Sequence, residues 1–114
     1  MTVNRPTPIS AAKSSPPAHL ADEEATLFAQ IVRAYGLRDE VSLRILEEAC
    51  ASLQRARMAR ETIDREGMTY PDAKGKPKMH PACVVERDSR AAALAAFRQL
   101  NLELPRTLTK RSAW

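Results

Sequence analysis

The chain has 114 residues, of which 44% are apolar and 4% aromatic, and its 18 Lys and Arg exceed its 14 Asp and Glu to give a net charge of +4. A chain of this length fits one small domain without a large enclosed active-site cleft. It contains neither the roughly 18 uncharged apolar residues of a membrane-spanning helix nor, at its proline-rich start, the apolar stretch of a secretory signal.

The positive charge is concentrated outside the segments that could form a core. Residues 1–18 are rich in Pro, Ser and Ala and are predicted to be a flexible arm, residues 19–104 the helical core, and residues 105–114 a basic tail. Segment 21–66 carries ten acidic residues against seven arginines, whereas the arm, the tail and the loop at 67–80 are each net positive. The core is therefore predicted to be slightly acidic, with basic edges.

The first helix is predicted over residues 22–35. Three acidic residues at 22–24 complement the positive end of the helix dipole, and Gly36 suits a left-handed C-terminal stop. Ala21 offers no side-chain cap, so we expect this helix to fray at its start. One apolar stripe runs along it: Leu27, Phe28, Ile31, Val32 and Tyr35.

A second, longer helix is predicted over residues 40–66, with Asp39 as N-cap and Gly67 at its end. Neither Pro nor Gly interrupts these residues. A heptad-like seam runs along the helix, and we predict that it makes the oligomer contacts: Leu43, Leu46, Cys50, Leu53, Arg57, Arg60 and Ile63.

The segment 68–79 is predicted to be an exposed loop that can form a short hairpin, which its prolines and lysines restrict to an edge. A third helix is predicted over 81–100, because Pro81 is favoured at the first helical position and Pro105 prevents continuation.

These elements predict an all-α fold, a long antiparallel helical hairpin with a third helix. At 1.5 Å per residue the helices are roughly 21, 40 and 30 Å long, so the shorter two leave part of the long one uncovered. That surplus surface favours burial against other subunits, the alternative being an imperfectly packed bundle.

Residues for metal or nucleophilic chemistry are scattered. His80 and Cys83 lie one helical turn apart but lack further ligands at zinc-site spacing, and Cys50 on the apolar seam is expected to be a small buried hydrophobe. Without an export signal, both cysteines are expected to be free thiols in a reducing cytoplasm. Three isolated glycines cannot build a GxxxxGK[ST] phosphate loop. We therefore predict no catalytic residues, metal or cofactor.

The densest charged cluster of the third helix is Glu86, Arg87 and Asp88. We interpret it as a structural ion-pair group in which Asp88, near the buried side, pairs with Arg57 or Arg60. The alternative, a catalytic carboxylate, requires a partner and a cleft that the sequence does not indicate.

The helix–Gly–helix arrangement at 22–66 favours an antiparallel hairpin over a DNA-reading helix-turn-helix, because its second helix is too long and begins with Asp39 and Glu40, which phosphates repel. DNA contact is instead predicted through backbone electrostatics, the alternative for the loop lysines being a solubilising role. The candidate DNA-binding residues are Lys74, Lys76, Lys78, Arg5, Lys13, Arg106, Lys110 and Arg111.

Several features follow each other in a recognisable order over residues 16–104. They are PPAHL at 16–20, Tyr35-Gly36-Leu37, Glu66-Gly67, the group Gly75, Lys78, His80 and Pro81, the sequence ERDSR at 86–90, and Leu94, Phe97 and Leu100. In this order the chain resembles the small terminase subunits of tailed bacteriophages, in the branch without an N-terminal helix-turn-helix domain. It departs from them at Ala21, where such proteins tend to place Ser or Thr.

The resemblance implies a non-enzymatic role in viral genome packaging. Such proteins form rings in the host bacterial cytoplasm, hold or recognise viral double-stranded DNA, and regulate a large subunit that carries the ATPase and the nuclease. A different class of function, a helical protein–protein interaction module without DNA binding, explains the helices and basic tails equally well.

Overall fold

The computed structural model describes residues 15–102, in which three helices and one small sheet follow each other along the chain. The elements in chain order are helix α1 (Asp22–Tyr35), helix α2 (Glu40–Glu66), strand β1 (Thr69–Pro71), strand β2 (Pro77–Met79) and helix α3 (Pro81–Leu100). The predicted all-α fold class, the helix limits and the short hairpin are therefore confirmed.

The helix ends follow from the capping residues that the sequence offers. Asp39 accepts a hydrogen bond from the Ser42 N–H at 2.9 Å, and Gly36 ends α1 in the left-handed conformation at φ 63°. Ala21 provides no side-chain cap. The start of α1 is nevertheless tied to α2, because Gln54 Oε1 accepts the Ala21 N–H at 2.7 Å. This tertiary contact opposes the expected fraying.

Helix α2 is the central element against which the other two helices pack. Helix α3 runs back along it and makes the more extensive contact, while α1 packs against it over a smaller area. The main helical hairpin is therefore formed by α2 and α3, and not by the first two helices at 22–66 as predicted. The apolar core lies near the start of α2 and consists of Leu20, Phe28, Leu43, Leu46 and Cys50.

The two strands pair in antiparallel register, with Thr69 opposite Met79, Tyr70 opposite Lys78 and Pro71 opposite Pro77. The Asp72 N–H donates to the Lys76 carbonyl oxygen, and the His80 N–H donates to the Met68 carbonyl oxygen. Residues 72 and 76, and residues 68 and 80, are therefore hydrogen-bonded pairs of the ladder. The prolines fall between these positions, where a ladder needs no N–H. Both prolines are therefore tolerated in so short a sheet.

Several large apolar side chains remain exposed. On α3 they are Val84, Val85 and Leu94, with exposed fractions of 36%, 46% and 53%, and on α2 Val41 and Met58 are more than half exposed. The long helix α2 therefore leaves apolar side chains uncovered, as predicted, and α3 exposes three more. Among the described residues, no helix is long and apolar enough to cross a membrane.

Candidate functional site

The three predicted DNA-binding lysines of the loop lie on the β1–β2 hairpin. Lys74, Lys76 and Lys78 are exposed and line one open concavity at its tip, together with Asp72. The Asp72 Oδ1 accepts the backbone N–H of Lys74 at 2.8 Å and that of Lys76 at 2.9 Å. This carboxylate therefore orders the turn that presents the lysines, and the hairpin keeps a net positive charge.

The base of the hairpin is fixed by His80. Its Nδ1 accepts the Ala82 N–H at 3.0 Å and so caps α3, while its Nε2 lies 2.8 Å from Glu66 Oε1 at the end of α2. Because Nδ1 faces a donor, we assign the ring proton to Nε2, which donates to Glu66. This hydrogen bond, helped by Arg65, lowers the pKa of Glu66. One side chain thus links both helices of the main hairpin where the sheet begins.

The remaining candidate DNA-binding residues, Arg5, Lys13, Arg106, Lys110 and Arg111, lie outside the described residues. The described chain begins at Ser15, which lines a shallow pocket with Glu40 and Leu43 at the start of α2. It ends just beyond Leu100, which packs against the core at that same end. The lysine-bearing hairpin follows the other end of α2, 27 residues away, or about 40 Å along the helix.

A buried ion pair connects α1 to the middle of α2. Arg57 Nε and Nη2 each donate to Glu24 at 2.8 Å, and Arg57 Nη1 reaches Glu61 at 3.0 Å. The hydrogen bonds from Arg57 lower the pKa of Glu24 and the same contacts raise that of Arg57. Both side chains are thereby held in their charged forms, and this arrangement is structural.

The predicted ion pair between Asp88 and Arg57 or Arg60 is not formed, and Glu86 contacts Arg60 in its place. Asp88 is exposed and lies 3.2 Å from Arg87, its neighbour in sequence. Glu86 instead lies on the inner side, where it accepts hydrogen bonds from Arg60 at 3.4 Å and Arg90 at 3.1 Å. Two residues correspond to about 200° around a helix, so Asp88 points away when Glu86 points in.

The prediction that the whole seam of α2 makes oligomer contacts is wrong for its first three residues. Leu43 is 6% exposed, and Leu46 and Cys50 are fully buried in the chain's own core, so these three side chains cannot contact a second subunit. Further along the seam, Leu53 and Arg60 line an open groove between α1 and α3, and Ile63 is half-buried. For the second half of the seam, oligomer contact stays a prediction.

The cysteine and histidine side chains occupy structural positions. Burial raises the pKa of the Cys50 thiol to about 11, and the Cys83 thiol lies 3.7 Å from the Met68 carbonyl oxygen. His19 lies 2.7 Å from Glu47 on α2. Within residues 15–102, no three His, Cys, Asp or Glu side chains come together as a possible metal site.

Tyr70, His80 and Glu66 were not predicted to act together in shaping the hairpin. One signal was present, because a residue immediately before a proline at the first helical position is an N-cap, and the imidazole of His80 can accept there. Its contact with Glu66 depends on how α2 and α3 meet, which no local pattern encodes.

No protein-family model, curated protein or solved structure matches this chain. Its possible function is therefore inferred from the positions and chemistry of its own residues.

Proposed function

We propose that this chain is the small, non-catalytic subunit of a phage DNA-packaging terminase, which binds viral double-stranded DNA, assembles into a ring and regulates a large subunit with ATPase and nuclease activity. It acts in the host bacterial cytoplasm. The observation that carries the proposal is the group of three exposed lysines on a hairpin fixed to the end of the helical core. The resemblance of residues 16–104 to such subunits supports it.

The hairpin is suited to contacts with DNA phosphates. Lysine ammonium groups are mobile point charges that neutralise phosphates without reading bases. A single hairpin binds weakly, but a ring places many hairpins along one duplex, so that their contacts add through avidity. A modest charge per chain is therefore sufficient in an assembly.

The ring is supported by the exposed apolar side chains of α3. Val84, Val85 and Leu94 lie in water in a single chain, and burying such exposed apolar side chains against another subunit is favourable. We expect light scattering at micromolar concentration to give a multimer. A monomer would contradict the ring.

The test of DNA binding is a titration of a duplex of about 20 base pairs at about 50 mM and about 200 mM salt. We compare the natural chain with the triple variant Lys74→Ala, Lys76→Ala and Lys78→Ala. Each lost phosphate contact reduces the magnitude of the negative slope of log K against log salt by about 0.9. The magnitude of this slope is therefore expected to be smaller in the triple variant by about 2.7 for each hairpin that contacts the DNA.

A matched control removes the same charge elsewhere. Arg33, Arg38 and Arg98 are exposed and lie on or beside the helices, and their triple alanine variant is expected to keep most of the salt slope. If the lysine variant keeps the affinity and slope of the natural chain, the hairpin is not the DNA-binding site.

The alternative, a helical interaction module without DNA binding, is favoured by the same exposed apolar side chains of α3. It predicts that the natural chain shows no salt-dependent affinity for any duplex, and the titration therefore separates the two functions.

A further inference from the structure

The β1–β2 hairpin has two chemically different faces. Side chains alternate along a strand, and residues directly opposite each other share a face. From the register, Tyr70, Asp72, Lys76, Lys78 and His80 lie on one face, here named the lysine face, and the prolines lie on the other. An aromatic ring therefore stands directly opposite Lys78 and beside Lys76. The Asp72 carboxylate is occupied by the backbone N–H groups of Lys74 and Lys76.

The Tyr70 ring is partly open to solvent and held in place. The residue is 43% exposed, and its ring meets the His80 ring edge-on, with centroids 6.3 Å apart and planes at 79°. An edge-on contact covers at most one face of the phenol ring. His80 is itself fixed at both ring nitrogens, so the contact that it offers to the Tyr70 ring has a defined position.

Both lysines lie beside this ring, Lys78 directly opposite it and Lys76 one step nearer the turn. Lys76 and Lys78 are two residues apart, about 7 Å along an extended chain, and both are exposed. An exposed aromatic ring beside cations is an arrangement by which proteins hold single-stranded nucleic acid, where bases stack on the ring and phosphates meet the charges. A duplex stacks its bases on each other and offers no base face to Tyr70.

We propose that the lysine face binds unpaired DNA, with one base stacked on Tyr70 and the adjoining phosphates on Lys76 and Lys78. The inference rests on the proposed DNA-binding function and extends it, because it adds single-stranded segments, such as an overhang or a melted stretch, to the duplex as ligand. Tyr70 then distinguishes unpaired from paired DNA, while the lysines contact both.

The experiment measures fluorescence anisotropy of oligo(dT) of about 12 nucleotides and of a duplex of about 20 base pairs, with the full chain and its Tyr70→Ala and Tyr70→Phe variants. One stacked base contributes about 1–3 kcal/mol, so Tyr70→Ala is expected to bind oligo(dT) about 5- to 150-fold more weakly. Duplex affinity is expected to change less than about twofold, and Tyr70→Phe, which keeps the ring, is expected to retain binding to both.

A matched control is Thr69→Ala, the neighbouring strand position on the opposite face of the sheet, which is expected to leave both affinities unchanged. Independently of any variant, a 2-aminopurine base within the oligonucleotide is expected to lose fluorescence on binding the natural chain, because stacking on tyrosine quenches it. This readout keeps the test decisive if Tyr70→Ala disturbs the hairpin.

The possible failures are distinguishable. Unchanged oligo(dT) affinity in Tyr70→Ala, loss of binding in Tyr70→Phe, or an unquenched 2-aminopurine overturns the role of Tyr70 and leaves duplex binding standing. No binding of the natural chain to the duplex contradicts the proposed function. No binding to either DNA overturns both.

Discussion

Arg57 holds Glu24 at two points, with Nε and Nη2 each 2.8 Å from a different carboxylate oxygen. The contact joins the middle of α2 to the first turn of α1, whose N-terminus lacks a side-chain cap. Glu24 is 4% exposed, which is unusual for a carboxylate unless it is paired. This pair therefore compensates for a weak helix start and fixes the place where α1 crosses α2.

The first prediction is that Glu24→Gln destabilises the fold by about 2 kcal/mol, because it replaces charge-assisted hydrogen bonds with at most one neutral one in a buried place. Urea unfolding followed by circular dichroism measures the change. The matched control is Glu23→Gln, since Glu23 is 72% exposed and lies 3.4 Å from the same Arg57, and its cost is expected to be below about 0.5 kcal/mol. Equal costs for the two variants would contradict the central role of Glu24.

The second prediction concerns the pH dependence of that contribution. The Arg57 hydrogen bonds lower the pKa of Glu24 in the folded chain from an ordinary value of 4.5. A carboxyl with a lowered folded pKa stabilises the fold fully above its unfolded pKa, and the stabilisation is lost as the pH falls through the folded pKa. The difference in unfolding free energy between the natural chain and Glu24→Gln is therefore expected to shrink below about pH 4.5.

Urea unfolding at a series of pH values tests this directly. Glu66, whose pKa is lowered by its hydrogen bond to His80, also loses its contribution on acidification, but it is present in both chains and cancels in the difference. A difference that stays constant between about pH 6 and about pH 3 would show that Glu24 is not the titrating group.

The third prediction is that the two thiols differ sharply in reactivity. Cys50 is fully buried, and its pKa of about 11 leaves roughly one thiolate in a thousand at about pH 8. Cys83 is partly exposed at the start of α3. In native conditions a disulfide reagent is therefore expected to label one thiol rapidly, and the second only after denaturant is added. In Cys83→Ser the rapid phase is expected to disappear, and rapid labelling of that variant would place Cys50 at the surface.

The helix limits were predictable because each depends on residues close in sequence. Asp39, Gly36 and Pro81 act within one turn of their own position, and the structure has every helix where these residues predicted it. The hairpin was likewise encoded locally, by prolines spaced so that neither is required to donate to the ladder. Local chemistry therefore determined the elements.

The partners of the side chains were less predictable, because they depend on how helices rotate against each other. Asp88 was predicted to lie near the buried side of α3, but it is exposed and Glu86 takes the inward position. Similarly, α2 packs against both α1 and α3. Leu43, Leu46 and Cys50, from the first half of the predicted seam, therefore belong to the chain's own core. Packing of three helices, unlike capping, is not a local property.

The fourth prediction locates the subunit contact on the outer side of α3. Leu94 is 53% exposed, and in a multimer that covers this face a glutamate there buries an unpaired charge, which strongly opposes association. Leu94→Glu is therefore expected to shift the mass measured by light scattering towards the monomer while the helical content is kept. Ala34→Glu adds the same charge at an exposed position of α1 and is expected to leave the mass unchanged. If both variants keep the natural mass, the subunits meet through another surface, for which the groove lined by Leu53 and Arg60 is the next candidate.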